Sequence, residues 1–277
     1  MFERLKTFLS GMNRLRLYSM VMSIAVCGVV LISVMISEAV QNIKPKQIQA
    51  PEQLVKMEQQ DPKAVEKKIK TMRVEALLKK AEQAVDSETG GEDSNIWALF
   101  DNYVFMGDSR CVGFSYYNFL RDDRVFAAGG NTIRDILTDL DKLKQINPAT
   151  IYLCYGLNDT GIGEWANGEE YGAELAEIFD KLKKELPDTT IVASSILPAT
   201  PAALENNPVW GKIPEFDKAL QKVCKEKGVL YVDNSDLVKQ NMDTLYDDDG
   251  VHLRPAFYPL WAKNLYMATI LAEVSKQ

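Results

Sequence analysis

Val104-Phe105-Met106-Gly107-Asp108-Ser109-Arg110 is the stretch on which the reading of the chain turns. Three apolar residues make a short strand, Gly107-Asp108 a turn, and a helical pattern follows from about Ser109 to Leu120. The same alternation continues outward. Val125–Ala127, Thr150–Tyr155, Thr190–Ser194 and Val229–Val232 read as strands. Thr132 to Lys144, with Ile133, Ile136, Leu137, Leu140 and Leu143 at helical spacing, reads as a helix. So do Tyr171–Leu186, Pro214–Lys227 and the closing stretch Pro255–Val274. Strands alternating with long helices predict an α/β fold, with a five-stranded parallel sheet covered on both faces. Ligands of such sheets sit beyond the carboxyl ends of the strands.

Four polar segments fall at those ends. Ser109 stands at a strand-to-helix turn, where its own N–H is free and the helix dipole favours negative charge. Taken alone, Asp108-Ser109 is equally an ordinary helix cap. In Asp247-Asp248-Asp249-Gly250-Val251-His252-Leu253 a tight turn can bring the Asp249 carboxylate to one imidazole nitrogen of His252. The other nitrogen then faces Ser109. The alternative is a surface acidic turn, such as a loose calcium loop, with an incidental histidine. Gly129-Gly130-Asn131-Thr132 follows the second strand and Gly156-Leu157-Asn158-Asp159 the third. The Gly130 N–H and the Asn158 amide can join the Ser109 N–H as donors to an oxyanion. A plain turn and a helix cap are the structural alternatives.

Together, and in this order, the four segments resemble the SGNH hydrolases, also called the GDSL family, from roughly Tyr103 to Val274. Gly107-Asp108-Ser109 matches the nucleophile block, Gly130 the second block, Gly156 to Asp159 the third and Asp249 to His252 the last. The resemblance implies a flavodoxin-like three-layer α/β/α sandwich and a serine esterase or acyltransferase without metal or cofactor. It implies Ser109 as nucleophile, His252 as general base, Asp249 as its orienting acid, and an oxyanion hole from Ser109, Gly130 and Asn158. Arg110 replaces the leucine of the family's name, a change expected to touch specificity more than competence.

Composition narrows the alternatives. The chain has 277 residues, 32 Lys+Arg against 39 Asp+Glu, a net charge of −7 and a single histidine. The acidic balance, with no long basic run, argues against nucleic acid as a partner. One imidazole excludes zinc sites built on two or three. Four scattered cysteines without C-x-x-C spacing are too few for a disulfide scaffold, and Cys154 reads as a buried free thiol.

Leu17 to Ser37 carries no charge and is long enough to span a bilayer. Arg4, Lys6, Arg14 and Arg16 precede it, which favours a cytoplasmic N-terminus and an extracytoplasmic remainder. A cleaved signal peptide ending at Ser37-Glu38-Ala39 is the competing reading. The expected organisation is a basic tail (1–16), a transmembrane anchor (17–39), a linker and stalk helix (40–94) and a catalytic domain (95–277). Asp61-Pro62 starts the stalk helix, whose Val74, Leu77, Leu78, Ala81 and Val85 share a face. That face suits a second copy or the helix's own domain.

Loops Thr160–Glu170 and Pro198–Pro214 carry Trp165 and Trp210, which either stack on sugar rings or form local cores. The expected activity is hydrolysis of short acyl esters, acetyl above all, on cell-envelope or extracellular carbohydrate. The alternatives are an O-acyltransferase fed by a membrane acyl-donor partner, and a non-catalytic glycan-binding scaffold. A histidine base predicts activity that falls below about pH 6.

Overall fold

The computed structural model describes residues 13–42, 62–85 and 95–275. The chain divides into two compact units, Met1–Val65 and Glu66–Gln277. The basic tail up to residue 12, the proline-containing linker 43–61 and the breaker 86–94 lie outside the described residues. In the first unit, helix α1 (Arg14–Asn42) contains a 20-residue stretch, Tyr18–Ser37, with mean hydropathy 2.5. It is long and apolar enough to cross a membrane, and Val26, Val29, Leu31 and Met35 are exposed along it.

The second unit is built on five parallel strands: β1 (Tyr103–Gly107), β2 (Val125–Ala127), β3 (Thr150–Cys154), β4 (Thr190–Ser194) and β5 (Leu230–Val232). Their order is β2-β1-β3-β4-β5. The register pairs Gly107 with Ala127 on one side and with Cys154 on the other. From β1 the chain goes to one side to make β2, then crosses back to make β3. The direction of winding therefore changes between β1 and β3, where an open α/β sheet leaves a crevice at its carboxyl edge.

Alternation along the strands sends side chains to two cores. Val104, Met106, Ile151, Leu153, Ile191 and Ala193 face one layer. Ile136 of the short helix Asp135–Thr138 and Leu143 of Leu140–Ile146 pack there, with Tyr171 and Phe179 of α2 (Gly168–Glu185) and Phe216 of α3 (Ile213–Lys227). Tyr103, Phe105, Tyr152, Cys154, Val192 and Val232 face the other. That layer is aromatic: Phe105 stacks on Tyr152 at 4.6 Å, and Phe114 lies 4.5 Å from Phe105 and 5.3 Å from Trp261. Each such buried ring contributes roughly 1.5–3 kcal/mol. This is the expected α/β/α sandwich with a five-stranded parallel sheet.

Two helices are shorter or broken, and a third has its packing decided. The helix opening at Ser109 closes at Tyr116, because Asn118 adopts a left-handed backbone (φ 58°) and Leu120 N–H turns back to Phe114 O. The helix read over Thr132–Lys144 is two short helices, Asp135–Thr138 and Leu140–Ile146, broken at Asp139. The Pro62–Ala84 helix buries Val74 and Ala81, with Val85 just beyond its end, in the same core as Phe100, Tyr266 and Ile270. Of the two readings for its apolar face, the structure takes the one against its own domain. Cys111, Cys154 and Cys224 are buried free thiols, and burial pushes the Cys154 thiol well up.

Candidate active site

Ser109 is the first residue of the Ser109–Tyr116 helix, at the carboxyl end of β1. The cap is its neighbour: Asp108 Oδ1 accepts from Arg110 N–H at 3.0 Å. Asp108 is also buried, and its Oδ2 accepts from Leu157 N–H at 3.1 Å, so one carboxylate ties the end of β1 to the end of β3. Burial raises the Asp108 carboxyl above its ordinary value, opposed by the adjacent Arg110 charge and the two N–H donors. Gly107 is needed for close approach: a Cβ there would press into Cys111 of the helix and the Cys154 carbonyl of β3.

His252 lies on a turn between Tyr246 and Leu253, which pair as an antiparallel bridge. Gly250 sits inside the turn at φ 72°, a backbone that L side chains rarely adopt, and a Cβ there would strike Thr200. Asp249 Oδ1 accepts from the Val251 and His252 N–H groups, each at 2.9 Å, which fixes the turn. Its Oδ2 lies 2.5 Å from His252 Nδ1, and His252 Nε2 lies 2.8 Å from Ser109 Oγ. Burial works to raise the Asp249 carboxyl. The hydrogen bonds from the His252 ring and the turn N–H groups outweigh it and hold the carboxyl below its ordinary value. The other two aspartates of the acidic run turn elsewhere: Arg254 reaches Asp248 at 3.2 Å and Asp247 at 3.6 Å.

The expected Asn158 donor is placed by a short chain of amides. Asn131 Nδ2 donates to Gly107 O at 3.4 Å, and Asn158 Nδ2 donates to Asn131 O at 3.0 Å. One Asn158 N–H orients the side chain, and the second hydrogen on that nitrogen has no acceptor among the described residues. Gly130, at φ 86°, precedes Asn131 in an exposed turn, and neither its N–H nor that of Ser109 has an acceptor among the described residues. Asn131 gave no signal of its own in the sequence. Its role follows from where its carbonyl falls.

Asp159, next to Asn158, is fully buried. Its Oδ1 accepts from Ile133 N–H at 2.9 Å and its Oδ2 has no partner. Burial, opposed by that N–H and reinforced by the Asp108 charge, raises its carboxyl to about 7. The native chain therefore holds this proton over a window, from about pH 4 to about pH 7, in which the unfolded chain has released it. The contribution of Asp159 to stability falls across that window and levels off above it. Melting temperatures measured from about pH 5 to pH 8 should show a flatter profile for Asp159→Asn than for the intact protein. Equal slopes would contradict the buried acid.

One expectation about an individual residue changes, and one open alternative is decided. Arg110 does not face a substrate: it is 3% exposed, and its guanidinium donates to Val251 O at 2.9 Å and Leu197 O at 2.6 Å. An arginine is rarely buried unless paired, so nothing in the sequence points to this placement. Trp165 takes the core alternative: it is 4% exposed and packs edge-on to Tyr171 in the first core. Its Nε1 donates to Glu174 at 2.9 Å and the Arg134 guanidinium lies over its ring at 4.8 Å, while Arg134 also bonds Glu174. Trp210 is half-buried against the first core.

A parallel sheet covered on both faces, with its polar groups gathered at the carboxyl ends of β1 and β3, places the second unit among α/β proteins with a strand-end site. The GDSL-like Lipase/Acylhydrolase family profile matches residues 105–260, more than half of the chain, and the chain belongs to that family. Membership makes it an ester-hydrolysing enzyme. Among solved structures, it is similar to a lipase/acylhydrolase from Enterococcus faecalis, with 15% identity, a TM-score of 0.50, and coverage of 64% of this chain and 97% of that one. A GDSL-like lipase from Bacteroides thetaiotaomicron matches at 18% identity and TM-score 0.46, covering 64% and 94%. An acetylxylan esterase from Geobacillus stearothermophilus matches at 17% identity and TM-score 0.42, covering 62% and 90%. No curated protein matches the chain.

Proposed function

We propose that the protein is a serine esterase that removes short acyl groups, acetyl above all, from carbohydrate of the cell envelope or its surroundings. The observation that carries the chemistry is the unbroken line from Asp249 Oδ2 through the His252 ring to Ser109 Oγ, at 2.5 and 2.8 Å. Ser109 Oγ attacks the ester carbonyl as His252 Nε2 takes its proton. Asp249 holds the ring in the tautomer that leaves Nε2 free to accept and stabilises the imidazolium that forms. The Ser109 and Gly130 N–H groups and the Asn158 amide receive the developing oxyanion. His252 then protonates the leaving alcohol, and water resolves the acyl-serine. Losing the Asn158 donor should slow turnover about 100- to 1000-fold. Asn158→Ala assayed on a small acetyl ester checks this, and a loss under tenfold would remove Asn158 from the hole.

The openness of the site supports the substrate class. The His252 and Asp249 side chains are 41% and 48% exposed, which suits a small acyl group presented on a bulky acceptor. Helix α1 serves as an anchor with its N-terminus in the cytoplasm, because basic residues precede its apolar stretch. The test is acetate release by the purified protein from O-acetylated oligosaccharide, compared with release from long-chain lipid esters. Preferential acetate release is expected. Cleavage of lipid esters alone would overturn the substrate class. Turnover that requires an added acceptor glycan would replace hydrolysis by acyl transfer.

A further inference from the structure

Arg110 is the second residue of the nucleophile helix, and its backbone, Nε and Nη1 are all occupied, while Nη2 is buried without a partner among the described residues. Its N–H is held by Asp108 at 3.0 Å, and its carbonyl accepts from the Tyr258 hydroxyl at 2.9 Å. The guanidinium turns away from solvent to two carbonyls distant in sequence. Nε meets Val251 O, one residue before His252, and Nη1 meets Leu197 O in the loop after β4. The two loops it joins also meet each other: Thr200 N–H donates to Gly250 O at 2.9 Å, and the Tyr246 hydroxyl donates to Pro198 O. Three segments thus converge on one fork of donors: the helix bearing Ser109, the loop after β4 and the turn bearing His252. A planar guanidinium carries its donors on separate nitrogens in fixed directions, which suits such a junction, whereas an ammonium gathers its three donors on one nitrogen and fixes no such spacing.

We propose that Arg110 is a positioning residue for ester cleavage, clamping the His252 turn to the Ser109 helix so that Nε2 stays within reach of Oγ. The proposal rests on the reading of His252 as the base for Ser109. The Asp249–His252 pair is internal to its own turn, through Oδ1 to the two N–H groups and Oδ2 to the ring. Within this site the clamp governs only the register between that pair and the serine. Its loss therefore leaves the pair assembled and misplaces it as a unit. A misplacement of about 1 Å is enough to cost on the order of 100-fold in rate. Burial works against the guanidinium charge and moves its pKa below the ordinary value, and the Asp108 carboxylate and, more weakly, Asp249 oppose it.

The experiment titrates active sites with a fluorophosphonate and then measures steady-state hydrolysis of p-nitrophenyl acetate per titrated site. Arg110→Leu and Arg110→Lys are compared with the intact full-length protein. For Arg110→Leu, kcat per site should fall about 100-fold, KM should stay within a few-fold, and the acid limb of the pH profile should keep its position. Arg110→Lys, which keeps a charged donor group without the fork, should recover part of that loss. A purely structural arginine gives a different pattern: fewer titratable sites, each turning over at the intact rate. That pattern, or a loss confined to KM, overturns the proposal. If Arg110→Leu does not fold, Arg110→Lys is read alone, and a kcat per site equal to the intact protein's overturns the proposal. Failure of the intact protein to titrate at Ser109 is a separate outcome, which removes the triad reading and the clamp with it.

Discussion

Replacing Ser109 with alanine is expected to lower ester turnover about a million-fold and to leave the fold in place. The fold survives because the hydroxyl has one partner, His252 Nε2, and the helix is capped by Asp108. Rate is lost because nothing else at the helix start can form the acyl intermediate. His252→Ala should lose a similar amount, since no second histidine exists in the chain to replace it. The two residues act on one proton, so the double variant should be scarcely worse than either single one. Initial rates on p-nitrophenyl acetate, with circular dichroism to monitor folding, check all three. A Ser109→Ala protein within tenfold of the intact rate would contradict the assignment, as would losses that multiply in the double variant.

Asp249→Asn is the second large effect, expected at about 10,000-fold in kcat. The substitution is close to isosteric, and the asparagine Oδ1 can still accept from the Val251 and His252 N–H groups, so the turn persists. The amide nitrogen then faces His252 Nδ1, which must accept where it had donated. The ring proton moves to Nε2, the atom that has to take the serine proton. If the amide flips to restore the ring hydrogen bond, its NH2 faces the two turn N–H groups and the turn loses its cap. Either arrangement lowers kcat. Melting temperature and kcat measured together separate them: an unchanged melt with the full rate loss marks the wrong tautomer. A rate loss under about 100-fold would mean that Asp249 does no more than cap the turn.

The sheet was legible because its strands are short apolar runs bounded by turn residues and separated by amphipathic stretches. All five appear in the fold with ends shifted by a residue or so, which is where fraying and capping decide. The site was legible as a set: Ser109, Asp249 and His252 come together from segments more than a hundred residues apart, at the carboxyl end of β1, which lies between β2 and β3. What stayed hidden is what tertiary contacts alone determine. The apolar face of the Pro62–Ala84 helix could be read, but not the surface that covers it. The split at Asp139 sits inside an unbroken helical periodicity. Arg110 follows the nucleophile in sequence, and nothing in its neighbours says that its side chain turns inward to Val251 and Leu197. Trp165 fits a sugar-stacking or a core role equally in the sequence, and only Tyr171, Arg134 and Glu174 around it decide for the core.

The central claim is that Ser109 is a nucleophile activated by His252. Reaction of the full-length protein with a fluorophosphonate, followed by mass analysis of the peptide bearing the adduct, tests it most directly. One phosphonyl group on Ser109 is predicted. The adduct should be absent in Ser109→Ala and should form far more slowly in His252→Ala. An intact, folded protein that takes up no label, or takes it up elsewhere with Ser109 unmodified, would contradict the account.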